Sequence, residues 1–336
     1  MPNNSTRWPP PSSSTAGSRP PPPRPNCRPT RSPDMPKHLL SLHDLDRAEI
    51  VALLERAAQF GDGIDARDRL AGIGVCTLFF EPSTRTRLSF QRAAQRLGAD
   101  VLGFEAATSS ATKGETALDT LKNIEAMGVR GFVVRHREDG AVAALAAQAG
   151  PDTALINAGD GRHQHPTQGL LDMLTIREAK GADFSGLKVA VIGDIRHSRV
   201  ARSDLVALSK LGVGEIRACG PASLLPGDDT LSGCARVTDD LDAALRDADV
   251  VMTLRLQRER MEDGLVASLD GYHRDFGITT ARLRGAKPDA IVMHPGPMNR
   301  GVEITDEVAD GPQSVILRQV ANGVKVRMAV LERALG

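Results

Sequence analysis

Two open parallel-sheet α/β domains, with helices on both faces of each sheet, are predicted from three observations. Strand-like and helix-like segments alternate over about 300 residues. The strand-like runs are short and apolar on both parities, as in strands buried on both faces of a parallel sheet. The chain has 336 residues, a length that corresponds to about two domains.

Residues 1–36 stand apart from this pattern. They hold 12 of the 21 prolines, five arginines and one acid, Asp34. Their charge is +4, so a chain with a formal net charge of zero leaves −4 on residues 37–336. Such a segment buries too little apolar surface to offset its ordering entropy and is read as a disordered tail. Its proline content prevents the amphipathic helix of a transit peptide, and it lacks the apolar stretch of a signal peptide. A non-folding extension, such as one created by a misplaced start codon, fits better, because Met35-Pro36-Lys37-His38 stands directly before the first periodic segment.

The first helix is expected over Asp44–Phe60. Strands are expected at Val75–Phe80, Gly131–Arg135, Thr153–Asn157, Lys188–Gly193, Glu215–Ala218, Val250–Leu254 and Ala290–Met293. After the first strand, Thr86–Leu97 places Phe90, Ala93, Ala94 and Leu97 on one helical face, with Gly98 to end it. The last helix is expected over Ser314–Leu335, where Val315, Val320 and Val324 blur its start.

Composition excludes several function classes. No apolar run approaches the ~18 residues of a membrane span. Zero net charge and ten aromatic residues do not make a nucleic-acid surface. The cysteines, Cys27, Cys76, Cys219 and Cys234, form no C-x-x-C pair; Cys76 reads as a small core residue and the set fits a reducing cytoplasm. No G-x-G-x-x-G follows a strand, which argues against a dinucleotide site or a nucleotide-binding regulator.

In open α/β sheets ligands lie beyond the carboxyl ends of the strands, so the loops carry the information. The strongest is Phe80-Glu81-Pro82-Ser83-Thr84-Arg85-Thr86-Arg87, where a buried strand runs into three hydroxyls and an arginine at the start of a helix. Unpaired first-turn amides and the helix dipole make this an anion site suited to phosphate; plain N-capping would need one hydroxyl and no arginine. Arg135-His136 follows the second strand and His163-Gln164-His165-Pro166-Thr167-Gln168 the third. His163 and His165 lack the carboxylate or cysteine company of a metal site. A neutral His165 beside an arginine and a hydroxyl would polarise a carbonyl, although a lone histidine is more often structural. Gly193-Asp194-Ile195-Arg196-His197-Ser198-Arg199, Arg255-Leu256-Gln257-Arg258-Glu259-Arg260 and His294-Pro295-Gly296-Pro297 follow later strands. Each alone reads as surface charge or a tight turn; together they describe one anion-binding cleft. Thr108–Glu115 is small, polar and Gly-containing, the composition of a mobile or simply exposed loop.

Seven of these motifs, in order, resemble the transcarbamoylase family over residues 38–336: Ser83-Thr84-Arg85-Thr86, Lys113-Gly114-Glu115, Arg135-His136, His165-Pro166-Thr167-Gln168, Arg199, Arg255-Leu256-Gln257 and His294-Pro295-Gly296-Pro297. The ornithine branch carries His-Cys-Leu-Pro at the last position and takes a cationic amino acid. Pro295 in place of that Cys, with Arg199 and Arg255 suited to two carboxylates, favours the aspartate branch. Gly296 stands where some relatives have Leu.

The resemblance implies transfer of the carbamoyl group of carbamoyl phosphate to L-aspartate, an early step of pyrimidine synthesis, without metal or organic cofactor. It implies carbamoyl phosphate on Ser83, Thr84, Arg85, Thr86, Ser109, Lys113, Arg135, His165, Gln168 and the backbone of Pro295 and Gly296. It implies aspartate on Lys113, Arg199, Arg255 and Gln257, with Arg85, Thr86, Lys113, Arg135 and His165 in catalysis. It further implies a carbamoyl-phosphate domain over 37–178, joined by a returning C-terminal helix over 316–336, and an aspartate domain over 185–315. A homotrimer would share Ser109 and Lys113 between neighbouring chains, and Arg258–Phe276 would form a moving loop. A regulatory or dihydroorotase-like partner chain is compatible with the resemblance; no nucleic acid or membrane is implied. The rival readings are a transcarbamoylase for another amine and a catalytically silent scaffold, which would be expected to have lost part of these side chains.

Overall fold

The computed structural model describes residues 38–61, 64–105, 114–226, 235–256, 264 and 266–336. Ser109, Lys113, Gln257, Cys27 and Cys234, and the readings of 1–36 as a tail and of most of 108–115 as a loop, lie outside the described residues.

Two parallel sheets organise the chain. The first contains β1 (Gly74–Phe79), β2 (Asp100–Glu105), β3 (Val129–His136) and β4 (Ala154–Asp160) in the order β2-β1-β3-β4. The second contains β5 (Lys188–Ile192), β6 (Glu215–Cys219), β7 (Arg236–Thr238), β8 (Val250–Thr253) and β9 (Ile291–Met293) in the order β7-β6-β5-β8-β9. All paired strands are parallel. The helices are α1 (Arg47–Gln59), α2 (Thr84–Arg96), α3 (Ala117–Ala126), α4 (Ala141–Ala146), α5 (Pro166–Lys180), α6 (Arg199–Leu211), α7 (Leu241–Leu245), α8 (Leu269–Phe276), α9 (Thr280–Leu283), α10 (Asp306–Ala309) and α11 (Ile316–Leu335).

The absence of alternation in the strand sequences has a direct cause. In β1, Val75 and Phe79 enter the large core shared with α1, α2, α5, α6 and α11, while Cys76 and Leu78 enter a second core under α3 and α4. In β5, Val189 and Val191 face the large core, and Ala190 and Ile192 face a third core with α7. Successive side chains point to opposite faces, and both faces are covered. Cys76 is a buried free thiol, pushed up to about 12 by burial, in keeping with a core role.

The seven expected strands are present, and two more, β2 and β7, flank them as edge strands. Helix α5 connects the sheets and is buried continuously from Pro166 to Ile176. It is buried on all sides because it lies between neighbours rather than on a surface, and its polar side chains Gln168, Asp172 and Thr175 are hydrogen-bonded inside. Helix α11 begins at Ile316, two residues beyond the expected Ser314, and packs against α1, α2 and α5.

Of Arg258–Phe276, read as a moving loop, residues 258–263 and 265 lie outside the described residues, and Leu269–Phe276 form helix α8. Ser268 caps it by accepting from the amide of Gly271 at 2.9 Å, and buried Tyr272 packs with Leu256, Leu224 and Val266. Its glycine and charges concealed a helix anchored by one aromatic side chain.

Candidate active site

Strand order determines where a ligand can enter. In the first sheet, β2 and β3 lie on opposite sides of β1, so the connections leave β1 and β3 in opposite directions and open a crevice between their carboxyl ends. The second sheet repeats the arrangement between β5 and β8. The β1 loop carries Glu81, Pro82 and Ser83, and β3 ends in Arg135-His136. The β5 loop leads to Arg199, and β8 leads to Arg255. These four strand ends, with the start of α5 and the loop after β9, line one cleft of about 780 Å³.

Ser83, Thr84, Arg85, Thr86, Arg135, His165, Gln168, Arg199, Arg255, Pro295 and Gly296 all line this cleft. Seven arginines and two carboxylates, Glu81 and Asp194, face it. Ser83 is the N-cap of α2, but its side chain makes no capping hydrogen bond. Its hydroxyl is therefore not committed to capping the first-turn amides, as the holding of an anion at a helix start requires.

Arg135 is buried and donates to the Ala158 carbonyl at 3.2 Å and to Glu81 at 2.5 Å, while its Nε meets no acceptor. Burial, with the neighbouring charge of Arg199, lowers it to about 10 despite Glu81. Arg199 donates to both oxygens of Glu81, at 2.8 and 3.0 Å, and to the Gly161 carbonyl at 3.0 Å. Glu81 thus joins an arginine of each sheet. Burial opposes its charge, but hydrogen bonds from Arg199 and the charges of both arginines hold it below the usual carboxylate range. Two glycines make room for these guanidinium groups. Gly159 has φ +115°, and a Cβ there would come within 2.9 Å of Arg135. Gly296 has φ +66°, and its Cβ would come within 3.1 Å of the Arg85 guanidinium.

His165 precedes Pro166 at the start of α5, where proline needs no amide partner. Its backbone N–H donates to Ser203 Oγ at 2.9 Å, and that hydroxyl donates to Gln164 Oε1 at 3.0 Å. The ring is buried and its Nδ1 meets no partner. Burial, then the charges of Arg135, Arg199 and Arg327, keeps its pKa far below the usual histidine value. A neutral imidazole can donate to an oxygen that gains negative charge without losing its proton beforehand. His163 instead approaches Asp160 at 3.2 Å, and no group of three or more His, Cys, Asp or Glu among the described residues could hold a metal ion.

Gln168 lies one turn into α5, with its amide nitrogen donating to Asp172 at 3.0 and 3.1 Å. The loop after β9 is held by the Gly296 N–H, which donates to His294 Nδ1 at 2.7 Å. Glu303 accepts from the Leu256 amide at 2.7 Å and from the Asn299 side chain at 2.6 Å, tying the β8 loop to the β9 loop.

Sequence reading assigned no role to Glu81, Arg327, Arg137 or Arg162, all on the cleft. Glu81 was visible as the first residue after an apolar strand. Arg327 was not: it comes from α11, buried beside the Phe90 ring at 4.9 Å, and no local pattern marks it.

Fold and cleft together define an α/β enzyme in which two switch points, both arginine-rich, bring two small anions together. Comparison with known proteins makes this specific. The family model for the carbamoyl-P binding domain of aspartate/ornithine carbamoyltransferase matches residues 37–178, and that for the Asp/Orn binding domain matches residues 185–334. The chain belongs to the aspartate/ornithine carbamoyltransferase family. It is 69% identical over 304 residues to the aspartate carbamoyltransferase catalytic subunit of Xanthomonas campestris pv. campestris, covering 89% of this chain and 96% of the relative. The Stenotrophomonas maltophilia catalytic subunit is 68% identical over 305 residues, with the same coverage of 89% and 96%. Aspartate transcarbamoylase of Trypanosoma cruzi, in complex with carbamoyl aspartate and phosphate, aligns with a TM-score of 0.80 at 34% identity over 90% of this chain and 97% of that chain. Ornithine carbamoyltransferase of Thermus thermophilus aligns at 0.79 and 28% identity over 90% of this chain and all (100%) of that one.

Proposed function

We propose that this chain transfers the carbamoyl group of carbamoyl phosphate to the amine of L-aspartate, giving N-carbamoyl-L-aspartate and phosphate, as an early step of pyrimidine synthesis in the cytoplasm. The observation that carries this reading is the convergence of the arginine-rich strand ends of both sheets on one cleft. Identity of 69% to a chain named as an aspartate carbamoyltransferase catalytic subunit selects aspartate over ornithine.

In this reading residues 37–178, with the C-terminal helix, form the carbamoyl-phosphate domain, and 185–315 the aspartate domain. The phosphate rests on Ser83, Thr84, Arg85 and Thr86 through hydroxyls, helix-end amides and one guanidinium. Thr86, Arg135 and neutral His165 donate to the carbonyl oxygen, and Gln168 with the backbone of Pro295 and Gly296 accepts from the carbamoyl NH2. Arg199, Arg255 and Gln257 receive the aspartate carboxylates. The neutral amine attacks the carbonyl carbon, a C–N bond forms, and the oxygen becomes an oxyanion. The C–O bond to phosphate then breaks, and a phosphate oxygen takes the amine proton. Orientation and preorganised charge supply the acceleration. Ser109 and Lys113 enter from the neighbouring chain of a homotrimer.

Purified protein is expected to release phosphate from carbamoyl phosphate with L-aspartate and not with L-ornithine, and to keep this activity after dialysis against a chelator. Equal rates with the two amines would overturn the substrate assignment.

A further inference from the structure

We propose that Asp172 is a positioning residue for carbamoyl recognition: its carboxylate holds both Gln168 and the His294–Pro297 loop in the orientation that accepts hydrogen bonds from the carbamoyl NH2. This rests on the reading above and adds a function for a buried acid that does not face the cleft.

Hydrogen-bond polarity carries the inference. A backbone N–H can only donate, so His294 N–H, 3.1 Å from Gln319 Oε1, identifies that atom as the carbonyl oxygen. The other end of Gln319 is then its NH2, which donates to Asp172 Oδ1 at 2.6 Å. Gln168 also turns its NH2 to Asp172. Its remaining atom, the carbonyl oxygen, is left for the cleft, where a carbamoyl NH2 needs an acceptor. One carboxylate thus receives two amides, from α5 and α11, and through Gln319 it holds the start of the β9 loop.

Such a hub requires an acceptor at position 172. Arg327 and Asp204 are the charged groups that act on it. Asp204 is fully buried on α6, and neither of its oxygens meets a donor. Burial and the neighbouring Asp172 push Asp204 well above the usual carboxylate range. Asp172 itself is raised by burial to about 7, and the hydrogen bonds it accepts and the charge of Arg327 oppose a larger rise.

Asp172→Asn reverses the polarity at one point while nearly conserving volume. Both amides share Asp172 Oδ1, but Gln168 alone also meets Oδ2, at 3.1 Å. With Oδ1 kept by Gln319, the new NH2 takes the Oδ2 position and faces the Gln168 NH2 donor to donor, so Gln168 turns its NH2 towards the cleft and meets the carbamoyl NH2. Calorimetric titration with phosphonoacetamide, which carries phosphonate and carbamoyl-like amide, is compared with titration by inorganic phosphate, which has no amide. The parent protein is expected to prefer phosphonoacetamide. In Asp172→Asn this preference should fall at least tenfold, while the phosphate Kd changes less than about threefold. The double variant Asp172→Asn with Gln168→Glu keeps the net charge. Its relocated carboxylate can accept from both the new amide and the ligand, and most of the preference should return. Equal weakening of both ligands, or an unchanged preference in Asp172→Asn, would overturn the proposal while leaving carbamoyl transfer intact. A parent without preference for phosphonoacetamide would overturn the proposal and also count against carbamoyl recognition. In the unmodified protein, whatever the variants' yield, the Gln168 side-chain NH2 should exchange with solvent at least tenfold more slowly than a free amide and stay so when phosphonoacetamide binds; rapid exchange in the complex would also overturn the proposal.

Discussion

His165 shows how much one buried side chain can determine. Its ring sits among three arginines, so protonation would add a fourth cation to a site with little solvent to screen it. The imidazole is therefore expected to keep the nitrogen-15 shifts of a neutral ring as pH is lowered through the range where an ordinary histidine gains its proton. His165→Ala removes one donor to the developing oxyanion and is expected to lower kcat ~10²–10³-fold with little change in the KM for aspartate. Glu81 gives a prediction about stability. Its folded pKa is depressed, so its contribution to stability is present above the unfolded value and is lost as pH falls through the folded one. Glu81→Gln is expected to flatten the acid limb of the thermal-stability profile, read from melting temperatures on a pH series. Asp204 behaves in reverse. Its folded pKa is raised, so its stabilising contribution is complete in acid and declines as pH rises through the folded value. Asp204→Asn should lose less stability than the parent as pH rises above the ordinary carboxylate range, read from melting temperatures on the same pH series.

At the scale of elements, the cleft-facing turn after β9 depends on the left-handed Gly296. Gly296→Ala places a Cβ against the Arg85 guanidinium and costs about 1 kcal/mol or more of backbone strain. Such a variant is expected to fold but to raise the KM for carbamoyl phosphate about tenfold, by moving Arg85 or the loop carbonyls. Element scale is also where sequence reading succeeded most and where its limits lie. Central strands such as Val189–Ile192 announce themselves because apolar side chains on both faces leave one environment for them. Edge strands β2 and β7 do not. Asp100, Gly103 and Arg236 interrupt their apolar character, and only pairing with β1 and β6 makes them strands. The loop residues Ser83–Thr86, Arg135, His165 and Arg199 were legible because each follows a buried strand. Arg327 and the partnership of Asp172 with Gln319 were not, because the contacts that give them meaning join residues 147 positions apart.

The whole molecule is held across its two sheets by α5, by α11 and by the Glu81 bridge. If two domains close over their substrates, small-angle scattering should show a smaller radius of gyration with a bisubstrate phosphonate than without it; an unchanged value would count against large closure. Were the sites shared between the chains of a trimer, a separate consequence would follow. Ser83→Ala and Lys113→Ala are each expected to be severely impaired, while refolded mixtures should regain activity because some interfaces contain both wild-type residues. Mixtures as inactive as their parents would exclude sharing.

The Glu81 bridge also bears on how the protein responds to its ionic surroundings. A basin lined by seven arginines ought to attract any passing anion and to lose its ligands steeply as salt is added. Here an internal carboxylate already accompanies Arg135 and Arg199, so a substrate arrives by displacing a tethered counter-ion rather than by neutralising bare charge. Binding at these two arginines is therefore expected to depend less on salt than binding to the cleft's other arginines, a contrast that calorimetry across a chloride series would read in Glu81→Gln against the parent.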